Sequence, residues 1–176
     1  MGRFLFNNYS VIIEPSNANY TAKNTNTKEV VIVLTYIGSS TCPFCRSPIV
    51  DSTLSVVANE ITEFSANNNI SHNFIGLSND RNTIDGVKHL FNLTVDFHEI
   101  ATGNNWMNTG LYRYTNTFKS QFATPQIVFS KRIYQDFLSI GPWNSIKEEK
   151  IMGRFIGLDA FEKIDTKDLL IRSFKD

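Results

Sequence analysis

The sequence predicts an α/β fold, a mixed central β-sheet flanked by helices, and three observations carry that expectation. The run Val30-Val31-Ile32-Val33-Leu34-Thr35-Tyr36-Ile37 is rich in β-branched residues and too short for a typical helix, so it reads as a buried strand. Directly after it, Ile49, Leu54, Val57 and Ile61 are spaced for one apolar helix face. The last third returns to strand-like segments. Crossovers followed by a hairpin require a sheet with both parallel and antiparallel pairs.

The elements follow in order. Tyr9 to Ile13 reads as a first strand, and Asn17 to Lys28, polar and rich in Asn and Thr, as a connection without core positions. Residues 1–28 are thus expected as an N-terminal extension and 29–176 as the body of a chain that is one domain overall. After the strand Val30–Ile37, a helix is expected from about Cys45 to Phe64, closed by the turn Asn67-Asn68-Asn69. Ile70 to Leu77 reads as a second central strand. Asn79-Asp80 offers an N-cap for a helix from about Asn82 to Phe91, with Ile84, Val87 and Leu90 inward. Leu93 to Ile100 alternates enough for a short strand, Gly103-Asn104-Asn105 marks a loop, and Leu111 to Phe122 is partly helical. Gln126–Phe129 and Ile133–Ile140, separated by Ser130-Lys131-Arg132, read as an antiparallel hairpin ended by Gly141-Pro142. A charged tail is expected to be helical from about Leu158 to Phe174, with Trp143 to Phe155 a second helical candidate.

Composition narrows the function classes. A chain of 176 residues can bury a core without covalent staples, and 41% hydrophobic with 12% aromatic residues excludes a disordered one. Basic and acidic residues balance at 17 each, so no net field draws nucleic acid or an anionic membrane, and neither is expected as a partner. The apolar runs fall short of a transmembrane span. The start, Met1 to Asn8, turns polar before a signal-peptide core could form, so a cytoplasmic location is expected; the chain is also expected to be a monomer. The alternative is a periplasmic or other extracytoplasmic location, with the export signal removed.

The only two cysteines lie in Cys42-Pro43-Phe44-Cys45, where strand hands over to helix. Residues i and i+3 in a first helical turn share a face, which brings two Cβ atoms within disulfide reach. Unpaired N–H groups and the dipole at a helix start favour a thiolate, so Cys42 is expected to attack and Cys45 to resolve the mixed disulfide. Arg46 adds a cation, and the hydroxyls of Ser40 or Thr41 are candidate donors to the sulfur. Pro43 stiffens the loop at no hydrogen-bonding cost, and Phe44 is an exposed apolar contact for a substrate. Zinc is not expected, because a closed site wants four ligands and no second CxxC or His pair is present. His72, His89 and His98 are scattered and read as ordinary histidines. Asp80, Arg81, Glu99 and Lys119 read as surface charges, and Trp106 and Trp143 as core or loop anchors.

The strand, the turn Ser39-Ser40-Thr41 running into the cysteine pair, and Ala123-Thr124-Pro125-Gln126-Ile127-Val128-Phe129 together resemble the thioredoxin superfamily. The resemblance covers roughly Glu29 to Ile140. It implies a thioredoxin-like fold and a cis-proline at Pro125, which would leave the backbone of Thr124 free to pair with an extended substrate. An αβ insertion is expected between about Asn79 and Phe122. The implied function is thiol–disulfide exchange through Cys42 and Cys45, with Pro43, Phe44, Thr124 and Pro125 contacting substrate. The implied partners are protein dithiols or disulfides and a redox partner that recycles the pair; no cofactor is implied. The sequence departs from thioredoxins proper at three places. Thr41 stands where they carry Trp, and Pro48 follows the second cysteine by three residues rather than five. Tyr36 stands near the place of the buried acid that relays a proton for the second thiol, a role for which Glu99, Asp96 and His98 are candidates. Two alternative functions share the fold: a peroxiredoxin-like thiol peroxidase and a non-catalytic binding module.

Overall fold

The computed structural model describes residues 4–7, 10–13, 29–103, 108–117, 123–134 and 146–174. Trp106, Lys119, Trp143, the Asn104-Asn105 loop and the segment 135–145 lie outside that set.

The central strand β3 runs Glu29–Gly38, after two short strands, β1 (Phe4–Asn7) and β2 (Ser10–Ile13). Helix α1 spans Pro48–Asn68 and leads into β4, Ser71–Ser78. There follow α2 (Thr83–Phe91), β5 (Glu99–Thr102) and α3 (Thr109–Thr117), so the stretch expected to be an αβ insertion folds as helix, strand and helix. The chain then forms β6 (Gln126–Tyr134), β7 (Ile146–Ile156), α4 (Leu158–Phe161) and α5 (Thr166–Ser173). The strands make one sheet in the order β1-β2-β5-β4-β3-β6-β7. Strands β3, β4 and β5 are mutually parallel, and β6 runs antiparallel between β3 and β7. Strand β2 pairs antiparallel with β5 and carries β1 at the edge. A parallel core joined by helical crossovers and closed by an antiparallel hairpin is the thioredoxin-like arrangement.

Burial on both faces explains why β3 reads as a continuous apolar run rather than an alternating one. Ile32, Leu34 and Tyr36 point to one face, where they pack with Val50, Leu54, Val57 and Ile61 of α1 and with Phe129. Val31, Val33 and Ile37 point to the other, against Ile75, Leu77, Val128 and Leu111 and Tyr114 of α3. The period of two along the strand thus sends successive side chains into two separate cores.

Four expectations fail in the last third. Ser130-Lys131-Arg132 is not a turn: β6 continues through it to Tyr134. The hairpin partner of β6 is β7 rather than Ile133–Ile140, and the helical candidate Trp143–Phe155 gives way to that strand. The reason is the polar content of the supposed turn. Ser130 Oγ and Arg132 Nε donate to Glu149 Oε1 at 2.9 and 2.8 Å, and Arg132 sits opposite Glu149 in the ladder. Polar residues that look like a turn are used to satisfy a buried charge. The terminal helix also breaks in two, with Asp165 capping α5 through Asp168 N–H.

Candidate functional site

The site forms where β3 ends and the chain turns towards α1. Helix α1 does not begin at Cys45, as expected, but at Pro48, with Ser47 as N-cap accepting from Ile49 N–H. Pro48 is suited to that first position because its missing N–H would have no helical partner. Ahead of it, Phe44–Arg46 forms a separate 3₁₀ turn entered through Pro43, closed by hydrogen bonds from Cys45 N–H to Cys42 O and Arg46 N–H to Pro43 O, both 3.2 Å. The thiols therefore sit on a tight turn of their own. The sulfur-facing donors are those of this turn rather than the orphan N–H groups of a long helix.

The two thiols are inequivalent. Cys42 is partly exposed, and Cys45 is 1% exposed. Burial alone would raise Cys42, but it is outweighed: a hydrogen bond from the Thr124 side chain, one from Cys45, and the backbone N–H groups of Cys45 and Phe44 bring it below the usual thiol value. Cys45 is pushed up to about 12, chiefly by burial and then by its hydrogen bond to Cys42. Arg46, the cation expected to do this, is not among the largest contributors. The hydroxyls of Ser40 and Thr41 are directed elsewhere, Ser40 Oγ to Asp80 Oδ1 (2.8 Å) and Thr41 Oγ1 to Ser39 Oγ (2.9 Å).

Opposite the turn, the Thr124–Pro125 peptide bond is cis. Cys42 Sγ donates to the Thr124 carbonyl at 3.4 Å, so the first residue of the pair touches the backbone beside the proline. Pro125 is buried and its carbonyl accepts from Gly157 N–H at 2.9 Å. Pro43 is exposed and Phe44 is 62% exposed, an apolar ring presented beside the thiol. The structure thus brings Cys42, Pro43, Phe44, Cys45, Thr124 and Pro125 to one end of the sheet.

Two features behind the thiols take their roles only from the structure. The first is Asp80, read as a surface charge but 3% exposed. Its carboxylate accepts from Ser39 Oγ (2.9 Å), Ser40 N–H (2.8 Å), Ser40 Oγ (2.8 Å) and Ser78 Oγ (2.6 Å). Burial would raise its pKa, yet these donors bring it below the usual carboxylate value. Asp80 fastens the loop that leads into Cys42 to the end of β4. The N-cap of α2 is instead Asn82, whose side chain accepts from Ile84 N–H.

The second feature is Tyr36, fully buried, whose hydroxyl is 3.1 Å from His89 Nε2 and whose phenol is raised far above its usual range by burial and then by the nearby Cys45. Its ring folds back beneath Gly38: a Cβ on that glycine would stand 2.3 Å from the Tyr36 hydroxyl oxygen. The ring cannot easily retreat, being stacked on Phe97 at 6.3 Å between centroids. Gly38→Ala is therefore expected to cost about 1–3 kcal/mol, the usual range for an overpacked core, measured by urea unfolding.

The other proton-relay candidates lie elsewhere. Glu99, also buried rather than a surface charge, accepts from Asn73 Nδ2, and His98 stacks on Phe74. Asn73 pairs with Val33, five positions back along β3 from Gly38. Asp96 is exposed. Among the described residues, no three His, Cys, Asp or Glu side chains gather to hold a metal ion, and no helix is long and apolar enough to cross a membrane.

No protein-family model matches the sequence, and no curated protein matches it. Solved structures do. The thioredoxin domain of a thiol-disulfide oxidoreductase from Bacteroides vulgatus matches at 14% identity and TM-score 0.43, over 82% of this chain and 79% of that one. Yeast Sco1 with copper bound matches at 15% identity and TM-score 0.43, over 82% of this chain and 77% of that one. At such scores the fold assignment stands on strand order, crossover pattern and the position of the cysteine turn, not on these likenesses.

Proposed function

We propose that this protein exchanges disulfides with protein substrates through Cys42 and Cys45. The observation that carries the reading is the asymmetry of the pair: a partly exposed, acidified Cys42 in contact with the Thr124 carbonyl, and a sealed, weakly acidic Cys45 one turn away. Cys42 thiolate attacks one sulfur of a client disulfide; its S–S bond breaks, a mixed disulfide forms and one client thiolate leaves. Cys45 then attacks Cys42 sulfur, the second client thiolate departs, and the protein holds the Cys42–Cys45 disulfide. Run backwards, the same steps oxidise a client dithiol. An extended client segment would lie along Thr124, with Phe44 as the apolar contact. A separate redox partner would restore the starting state.

In an insulin-reduction or dithiol-oxidation assay, Cys42→Ser is expected to abolish turnover and Cys45→Ser to accumulate the mixed disulfide, visible by mass spectrometry. Unchanged turnover in Cys42→Ser would reject the reading. Iodoacetamide should label Cys42 with a rate that rises with pH through a midpoint below the ordinary thiol value of about 8.5; a midpoint above it would contradict the acidified thiol.

A further inference from the structure

The resolving step needs a proton to leave Cys45, and the residue in the place of the expected acid is a tyrosine. Resting on the exchange reading above, we infer that Tyr36 and His89 form the route by which the Cys45 proton departs: the Cys45 thiol gives its proton to Tyr36 oxygen as the Tyr36 hydroxyl proton passes to His89 Nε2.

The geometry has three parts. Tyr36 is fully buried with Cys45 the nearest thiol acting on its hydroxyl, and its ring occupies the space that the missing side chain of Gly38 leaves open. The Tyr36 hydroxyl and His89 Nε2 are 3.1 Å apart, a hydrogen bond between side chains from β3 and α2. His89 is 8% exposed and stands one hydrogen bond behind Tyr36, at the end of the route nearer solvent than the fully buried phenol. Charged and titratable groups facing His89 come from each neighbouring element: Tyr36 from β3, Asp80 from the loop after β4, and Arg46 from the 3₁₀ turn beside Cys45.

The end point is decided by comparing acceptors. Asp80 is the nearby carboxylate, but four donors already hold it, which keeps it ionised and unavailable. His89 is shifted below its usual value, chiefly by burial, with Arg46 adding and Asp80 opposing, so at neutral pH it is an uncharged acceptor. Once it takes the proton, the Asp80 charge offsets part of the cost of a buried imidazolium. Tyr36 itself carries no charge at any stage, because burial and then Cys45 hold its phenol far above the usual range. The step balances. Cys45 sulfur bonds to Cys42 sulfur, the client thiolate leaves with the electron pair, and the proton rests on His89 until the departing thiolate or solvent takes it. Tyr36 touches the reacting thiol; His89 acts through it.

The test separates the two half-reactions with 5,5′-dithiobis(2-nitrobenzoate) on the reduced full-length protein. The first equivalent of released thiolate reports Cys42 attack, and the second reports resolution by Cys45. Tyr36→Phe is expected to keep the first rate within about twofold and to slow the second on the order of 10²-fold, the lower range for general acid–base catalysis. In wild type the second rate should fall in acid as His89 protonates; in His89→Gln that inflection should vanish while the first phase persists. An unaltered second phase in both variants would overturn the relay and leave the exchange reading standing. A wild type that releases no thiolate at all would overturn both. Should Tyr36→Phe lose the first phase as well, the site itself is disturbed, and retention of the acid inflection in His89→Gln then overturns the relay.

Discussion

Glu149→Ala is expected to destabilise the fold by about 3–5 kcal/mol, the range for removing one partner of a buried ion pair. Glu149 is 8% exposed at its side chain and Arg132 only 1%, with Arg132 Nε 2.8 Å from Glu149 Oε1. Arg113 Nε binds Glu149 Oε2 at 2.7 Å, and Ser130 Oγ binds Oε1 at 2.9 Å. The network continues through Tyr114, whose hydroxyl accepts from Arg132 at 2.8 Å and lies 2.9 Å from Thr35 Oγ1 on the central strand. Deleting the carboxylate strands the Arg132 charge in a core that excludes water, and that penalty exceeds the value of the hydrogen bonds lost. Replacing Arg132 and Glu149 together by apolar residues should cost much less than Glu149→Ala alone, since no buried charge remains. Urea unfolding of the single and double variants measures this; equal losses in the two would show that stranded charge is not the cause.

The same carboxylate gives the protein an acid limit. Burial would raise the Glu149 pKa, but Arg132 and then Arg113 bring it below its usual value. A depressed folded pKa contributes stability that is complete above the unfolded value of about 4.3 and is lost as pH falls through the folded one. Stability measured by urea unfolding should thus decline below about pH 4, and the decline should be shallower in the double variant.

Asp80→Ala carries the second large effect, a loss of about 3 kcal/mol together with altered reactivity of Cys42. A hydrogen bond to a charged group contributes about 1.5–3 kcal/mol net of exchange with water; Asp80 accepts four, and contributions that share one carboxylate do not add. Ser39 and Ser78 are themselves buried, so their hydroxyls lose a partner that water cannot fully replace. The loop Ser39–Thr41 then loses its attachment to β4, and the position of Cys42 against Thr124 loosens with it. Unfolding by urea gives the first quantity and iodoacetamide labelling of Cys42 the second. An Asp80→Ala protein with wild-type stability would show that the carboxylate is solvated rather than a clamp. Its acid dependence has the same sign as that of Glu149, because its folded pKa is likewise lowered.

These residues mark where a reading of the sequence stops. The strand Val30–Ile37, the cysteine turn and the apolar face of the helix behind it are local matters, read from β-branching, spacing and turn chemistry within a few positions. The cis bond at Pro125 was implied instead by the resemblance to a family. The hairpin was misplaced because Ser130-Lys131-Arg132 has the composition of a turn, and only a partner in β7 reveals that its polar groups are paired. Asp80 looked like a solvated charge because the hydroxyls that surround it come from Ser39 and Ser40, some forty positions away.

The sequence by itself determined the layered α/β architecture and the place where two thiols meet the end of a central strand, since periodicity and turn chemistry act over short distances. Only the tertiary structure decided which groups lower the Cys42 thiol, what holds the loop before it, and which groups stand behind Cys45. Burial and charge are set by neighbours that chain order does not bring together. A tyrosine in place of an acid acquires meaning only once His89 lies within hydrogen-bonding distance of it.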